Sequence, residues 1–201
     1  MKSTVANAIF NSYSYSGYRK LVKNLLLEGK ATGSDHSENL IRQSNLNDAL
    51  MNHLDEILKI SKENILKLDL IKKNYTWLVI AEGWCSDSAQ LLPVFNFLSN
   101  ESKKIDFKIV LRYENENLMN FFLKDGSKSI PKLIVVEKES GNVCGSWGPR
   151  PQGAIELIKN YKEKFGKVDA IVKAELQMWY LNDNGFSTQN ELIDFILDLE
   201  K

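Results

Sequence analysis

Apolar positions along this chain follow helical spacing first, strand spacing in the middle and helical spacing again at the end. Over residues 17–30, Tyr18, Leu21, Val22, Leu25 and Leu26 recur on one helical face, and Gly29 supplies a stop. Residues 31–37 are mostly Gly, Ser, Thr, Asp and His and read as a loop. Over residues 46–73, Leu50, Leu54, Ile57, Leu58, Ile65, Leu66, Leu68, Leu70 and Ile71 predict helix, interrupted near Ser61. The pattern then becomes the unbroken run Trp77-Leu78-Val79-Ile80-Ala81, which is the signature of a strand buried on both faces. Helical spacing returns over residues 86–99 through Leu91, Leu92, Val94, Phe95 and Leu98, with Pro93 inside and a kink expected there. A strand over 105–111, a helix over 116–123, a strand over 132–137, a turn at Ser140-Gly141-Asn142 and a short strand over 143–146 follow. Beyond Pro151 the chain predicts a helix through Ile155, Leu157, Ile158 and Tyr161, and another over 168–181. A last helix is expected from Thr188, where Thr188 and Glu191 have capping-box spacing, with Leu192, Ile193, Phe195, Ile196 and Leu199 as its buried stripe. The middle of the chain thus reads β-α-β-α-β-β-α, an α/β pattern.

Charge and composition narrow the partners. The 201 residues carry 26 Lys+Arg and 26 Asp+Glu, a formal net charge of zero, so nothing favours a nucleic acid. Hydrophobic residues make up 43% of the chain, yet no apolar run approaches the ~18 residues of a spanning helix, and no membrane is expected. The first ten residues lack the apolar core of a secretory signal, so the expected location is the cytoplasm. Cys85 and Cys144 are too few for a disulfide framework and should matter as thiols. His36 and His53 have no partners at ligand spacing, and no metal is expected.

The chemistry concentrates in Trp84-Cys85-Ser86-Asp87-Ser88, where a buried strand gives way to a helix. A thiol at a helix N-terminus faces free N–H groups and the positive end of the dipole, which favours thiolate. Asp87 opposes this, because a nearby carboxylate raises a thiol's pKa, and the net direction stays open at this level. Ser88 is either a hydrogen-bond donor to sulfur or a helix cap, and Asp87 is either a proton relay or an ordinary acid of a helix's first turn. A second feature, Ser129-Ile130-Pro131, directly precedes a strand, where proline removes one ladder donor only.

Together these residues resemble the thioredoxin superfamily. Trp84, Cys85, Pro93 and Pro131 match its Trp-Cys-x-x-Cys motif after a buried strand, its helix-kinking proline and its cis-proline before an antiparallel strand. The hairpin ending in Gly148 and the helix after it match as well, so the resemblance covers residues 76–165. More narrowly, the chain is similar to a bacterial branch with an N-terminal helical extension and a Trp-Cys-x-Asp-Cys motif, matched by Trp84, Cys85 and Asp87. The resemblance implies an α/β thioredoxin-like fold, a mixed sheet of four or five strands flanked by helices. It implies residues 1–75 as a helical extension packed on a core of 76–165, and 166–201 as C-terminal helices, in one globular domain. It further implies cytosolic thiol–disulfide exchange on a protein or small-molecule disulfide, with no resident cofactor and with glutathione or bacillithiol as candidate co-substrate. Cys85 would be the nucleophile with Ser88 and Asp87 beside it, and Trp84, Ser86, Ile130, Pro131, Trp147 and Gly148 would line the substrate groove. Arg150 is either a contact for an anionic thiol or an ordinary surface arginine at a helix start.

The departures carry equal weight. Ser88 stands where the family has its resolving cysteine, so Cys85 has no vicinal partner, and Val79 stands where typical members carry a buried acid. Cys144 should lie too far off to replace the missing thiol, beyond the ~7 Å Cα separation a disulfide tolerates. Monothiol glutaredoxins share a Cys-x-x-Ser site, but their Gly-Gly pair and Thr-Val-Pro-type loop are replaced here by Gly148-Pro149-Arg150 and Ser129-Ile130-Pro131. The family's first strand is not visible, and the helical additions would cover the edge it leaves or serve dimerisation. Two functions follow: exchange by Cys85 alone, or a redox-inactive module that binds a peptide or partner.

Overall fold

The computed structural model describes residues 1–201. Four helices come first: α1 (Lys2–Phe10), α2 (Tyr15–Leu27), α3 (Glu38–Ile57) and α4 (Lys62–Leu68). The middle alternates β1 (Tyr75–Ala81), α5 (Ser86–Glu101), β2 (Ile105–Leu111), the short α6 (Glu116–Met119), β3 (Lys132–Glu137) and β4 (Val143–Trp147). Three helices close the chain: α7 (Gln152–Phe165), α8 (Ala170–Asp183) and α9 (Phe186–Asp198).

One mixed sheet of four strands runs in the order β2-β1-β3-β4. β1 is parallel to β2 across the α5 crossover and antiparallel to β3, which is antiparallel to β4. Every residue of β1 is buried, because helices cover both sheet faces, and this accounts for its unbroken apolar run. Trp77, Val79 and Ala81 point into the larger core with Leu92 and Phe95 of α5 and Ile193 of α9. Leu78 and Ile80 point into a smaller core with Val5 and Ala8 of α1 and Leu118 and Met119 of α6, and Cys85 joins this second core.

The fifth strand is reduced to one residue. Beside β2, Tyr13 donates its N–H to Ile109 O at 2.8 Å and accepts from Ile109 N–H at 2.9 Å. Ser14 then caps α2 by accepting from Gly17 N–H, so the chain turns helical immediately after that bridge. The remaining edge of β2 is shielded by α1 and α2 instead of by a strand.

Several boundaries differ from the sequence reading. The pattern gave no sign of α1, whose buried side chains are only Val5 and Ala8. The break near Ser61 is a helix start, with Ser61 accepting from Asn64 N–H, and α6 stops at Met119 instead of running on to residue 123. The last helix begins at Phe186, two residues before Thr188. Thr188 is fully buried with its hydroxyl unpartnered, so it forms no capping box. Glu191 instead accepts from Trp147 Nε1 at 3.1 Å and from Gln152 N–H at 2.7 Å, capping α7 from across the fold. No helix is long and apolar enough to cross a membrane.

Gly185 precedes α9 with φ +75°, and a Cβ there would lie 2.8 Å from Val94 Cγ2. Left-handed backbone strain alone costs ~1–2 kcal/mol in a residue with a side chain. Gly185→Ala should therefore lower the urea unfolding free energy by about 2 kcal/mol; a loss below about 0.5 kcal/mol would show that the turn relaxes freely.

Candidate functional site

β1 ends at Ala81, and the loop Glu82-Gly83-Trp84 delivers Cys85 to the N-cap of α5. Its sulfur accepts from Ser88 N–H at 3.5 Å, and its S–H donates to Ile130 O at 3.5 Å. The Ile130-Pro131 bond is cis, as is Gly148-Pro149. Cys85 is only 9% exposed. Burial first, and the Asp87 charge second, push the thiol up to about 11, against the smaller pull of the Ser88 and Asp87 hydrogen bonds. Desolvation thus outweighs the helix N-terminus, the competition the sequence left open. At pH 7 such a thiol rests protonated.

Ser88 does not cap the helix, because the Cys85 sulfur does. The Ser88 hydroxyl is buried and has no partner beside the neutral thiol. A thiolate at Cys85 would accept from it, which with the backbone N–H groups of Ser88 and Asp87 favours ionisation.

Asp87 is neither an isolated first-turn acid nor exposed. Arg150 forks onto it, with Nε to Oδ1 at 2.9 Å and Nη2 to Oδ2 at 2.6 Å, and Tyr180 donates its hydroxyl to Oδ1 at 3.0 Å. Arg150 is therefore not the solvated surface residue it resembles in sequence; Asp87 occupies one edge of its guanidinium, through Nε and Nη2. Tyr180 was absent from the sequence reading. Its signal lay in the stripe Val172, Leu176 and Tyr180, the buried face of α8, since a buried tyrosine needs a partner for its hydroxyl.

The N-terminal helices hold the motif loop from the other side. Gly83 donates its N–H to Thr32 Oγ1 at 2.9 Å and accepts from Asn47 Nδ2 at 2.8 Å. Gln43 Nε2 donates to Ser86 Oγ at 3.1 Å. Glu82, also missed from sequence, is a buried acid whose carboxyl is raised by burial; Oε1 accepts from Tyr113 N–H at 2.8 Å and Oε2 has no partner. Arg112 lies 5.2 Å from the centroid of the Trp84 ring and covers its outer side.

These elements frame a cleft of about 650 Å³, open to solvent on one side, next to Cys85. Its walls are Trp84, Cys85, Ser86 and Asp87, Gln43, Leu46, Asn47 and Leu50 of α3, Arg150, and Lys173, Ala174, Leu176 and Gln177 of α8. That volume is in the range of small-ligand sites. Ile130, Pro131, Trp147 and Gly148 are not among its walls. Ile130 meets Cys85 from the buried side. Gly148, at φ +106°, backs onto Pro131, whose carbonyl oxygen would lie 2.6 Å from a Cβ there. Trp147 is half-buried and packs edge-on against Phe95 of the larger core at 5.8 Å. Both cysteines are free. Cys144 sits beside the Val135/Val136 step of β3, level with Trp77 and Thr76, while Cys85 lies beyond Ala81; that is at least about 13 Å along the sheet.

Asp87→Asn removes the charge that opposes the thiolate. The Cys85 midpoint, followed by thiolate absorbance in a Cys144→Ser background, should fall from about 11; an unchanged or higher midpoint would show that burial acts alone.

A sequence-family profile described as Thioredoxin matches residues 33–162, well over half of the chain. No curated protein matches it. Among solved structures, a protein of unknown function from Pseudomonas aeruginosa is similar over 94% of this chain and 99% of its own, with TM-score 0.59 and 16% identity. An HIV epitope scaffold is similar over 93% of this chain and 97% of its own, with TM-score 0.54 and 17% identity. At such identities the two structures support the fold alone, whereas the profile match spans the motif, the whole sheet and the helices from α3 to most of α7: the chain belongs to the thioredoxin family.

Proposed function

We propose that this protein is a thioredoxin-fold binding module, in which Cys85 rests as a protonated thiol and the cavity between α3 and α8 receives the partner. The observation that carries this reading is the state of Cys85: buried, donating to Ile130 O, and raised to about 11. The thiolate is the nucleophile in thiol chemistry, so a site that holds the proton slows exchange at neutral pH. Ser88 removes the second thiol, and Cys144 is too distant to stand in. In this proposal residues 1–75 and 166–201 belong to the same globular unit as the core, because they supply Gln43, Asn47, Lys173 and Tyr180 to the site. A cytoplasmic location, where thiols stay reduced, fits the reading.

One observation favours the second reading, monothiol exchange with Cys85 as nucleophile. The unpartnered Ser88 hydroxyl would join the Ser88 N–H, already a donor to the sulfur, in donating to a thiolate. In that chemistry Cys85 gives its proton to water and attacks a protein or small-molecule disulfide. A Cys85 mixed disulfide forms and the other half leaves as thiolate; a thiol such as glutathione or bacillithiol then frees Cys85.

The rate of Cys85 alkylation against pH, in a Cys144→Ser background, separates the two. The binding module predicts a midpoint near 11, whereas a midpoint below the free-cysteine value of ~8.5 would transfer the assignment to exchange. Ser88→Cys adds an independent check. It should not confer insulin reduction comparable with a dithiol thioredoxin, because the first thiol stays protonated; vigorous reduction would mean that only the resolving cysteine was missing.

A further inference from the structure

We infer that the partner is an extended polypeptide segment, which crosses α8 with an apolar side chain in the trough behind it and a neighbouring residue in the Cys85 cavity. This rests on the binding-module reading and names its ligand. α8 buries Val172, Leu176 and Tyr180 on its inner side, yet its outer side shows Ile171, Ala174, Met178 and Leu181 at helical spacing. Ile171 is 61% exposed, Met178 54% and Leu181 56%. A helix apolar on both sides normally has something on both sides.

The hollows around α8 indicate what covers it. A trough of about 780 Å³ runs between α7 and α8, walled by Leu157, Ala170, Ile171, Ala174, Met178 and Trp179. The Cys85 cavity shares Ala174 with it, so a methyl side chain is part of the ridge between the two. A smaller hollow of about 230 Å³ joins the system through Gln177 and Met178.

The dimensions favour a single strand of chain over a folded surface. α8 has 14 residues, so it is about 21 Å long and ~10 Å wide. Taken alone, that ridge offers roughly 210 Å², well short of the ~800 Å² per partner of a stable protein interface. At ~3.3 Å per residue an extended segment crosses ~10 Å in about three residues. The apolar anchor should therefore sit about three positions from the residue that enters the cavity. Lys173 is on the cavity wall and makes no ion pair, whereas Arg150 is taken by Asp87, so a carboxylate next to the entering residue is complementary.

Disulfide trapping at Cys85 tests this without requiring natural exchange chemistry. The probes are the mixed disulfides of 2-mercaptoethanol with two peptides, acetyl-Glu-Cys-Ser-Ser-Leu-amide and acetyl-Glu-Cys-Ser-Ser-Ser-amide. The Cys85 sulfur displaces mercaptoethanol, forming a protein–peptide disulfide, and the proton lost from Cys85 ends on the released thiol. Intact mass at exchange equilibrium, in a Cys144→Ser background, should show at least about ten-fold preference for the leucine peptide. Met178→Glu, or Ile171→Glu if the first variant folds poorly, should abolish the preference and leave simple mercaptoethanol capture unchanged. Equal capture of both peptides beside normal mercaptoethanol capture would overturn the docking inference alone. No adduct of any kind would mean that Cys85 does not open into the cavity, and would overturn the docking inference while leaving the protonated-thiol reading in place. A dimer by sedimentation that Met178→Glu dissociates would assign the trough to a second copy and overturn the inference.

Discussion

The site depends on one buried carboxylate. Asp87 is two residues past Cys85, in the first turn of α5, where its charge is favourable to the helix and unfavourable to a thiolate. Left alone in that position, the carboxylate would be a poorly solvated charge. Arg150 and Tyr180 complete it, and in doing so they tie the segment before α7 and the last turn of α8 to the cysteine motif. A pair of this kind contributes little net stability compared with apolar packing, but losing one partner leaves the other charge stranded. Its larger consequence is architectural: the fixed position of α8 turns an exposed thiol loop into one wall of a cavity.

The N-terminal helices meet the same demand from the opposite side. Gly83 lies in a loop between a buried strand and a buried helix, so its N–H and C=O need partners, and Thr32 and Asn47 supply them. The additions therefore do more than shield the vacated sheet edge. They exchange the open surface over the Ile130-Pro131 loop for an enclosure between α3 and α8, while Cys85 sinks into the second core among Ile80, Met119 and Ile134. Burial and enclosure have one electrostatic effect, which is to keep the sulfur protonated.

Most of the fold was legible because its signals are local. The unbroken run from Trp77 to Ala81 and the strand–helix position of Cys85 follow from periodicity, and Trp84, Pro93 and Pro131 carry the family resemblance. What sequence did not reveal is set by contacts between distant segments. Arg150 looks like a surface residue until Asp87 meets it across the fold, and Glu191 has capping-box spacing but caps a different helix. Tyr180, Asn47 and Gln43 are partners of groups far away in the chain. Helix α1 was missed because it buries only Val5 and Ala8, too weak a stripe to register. Trp147, placed in the groove by the resemblance, is half-buried and packs edge-on against Phe95 at the border of the larger core.

The most direct test of this account is a double-mutant cycle on unfolding free energy between Asp87→Asn and Tyr180→Phe. If the carboxylate fastens α8 to the thiol motif, the two losses should be non-additive, with a coupling of about 1–3 kcal/mol, the range for a buried hydrogen bond to a charged group. A coupling within about 0.3 kcal/mol of zero would contradict it, because α8 would then hold its place without Asp87, and the site would not be organised around that carboxylate.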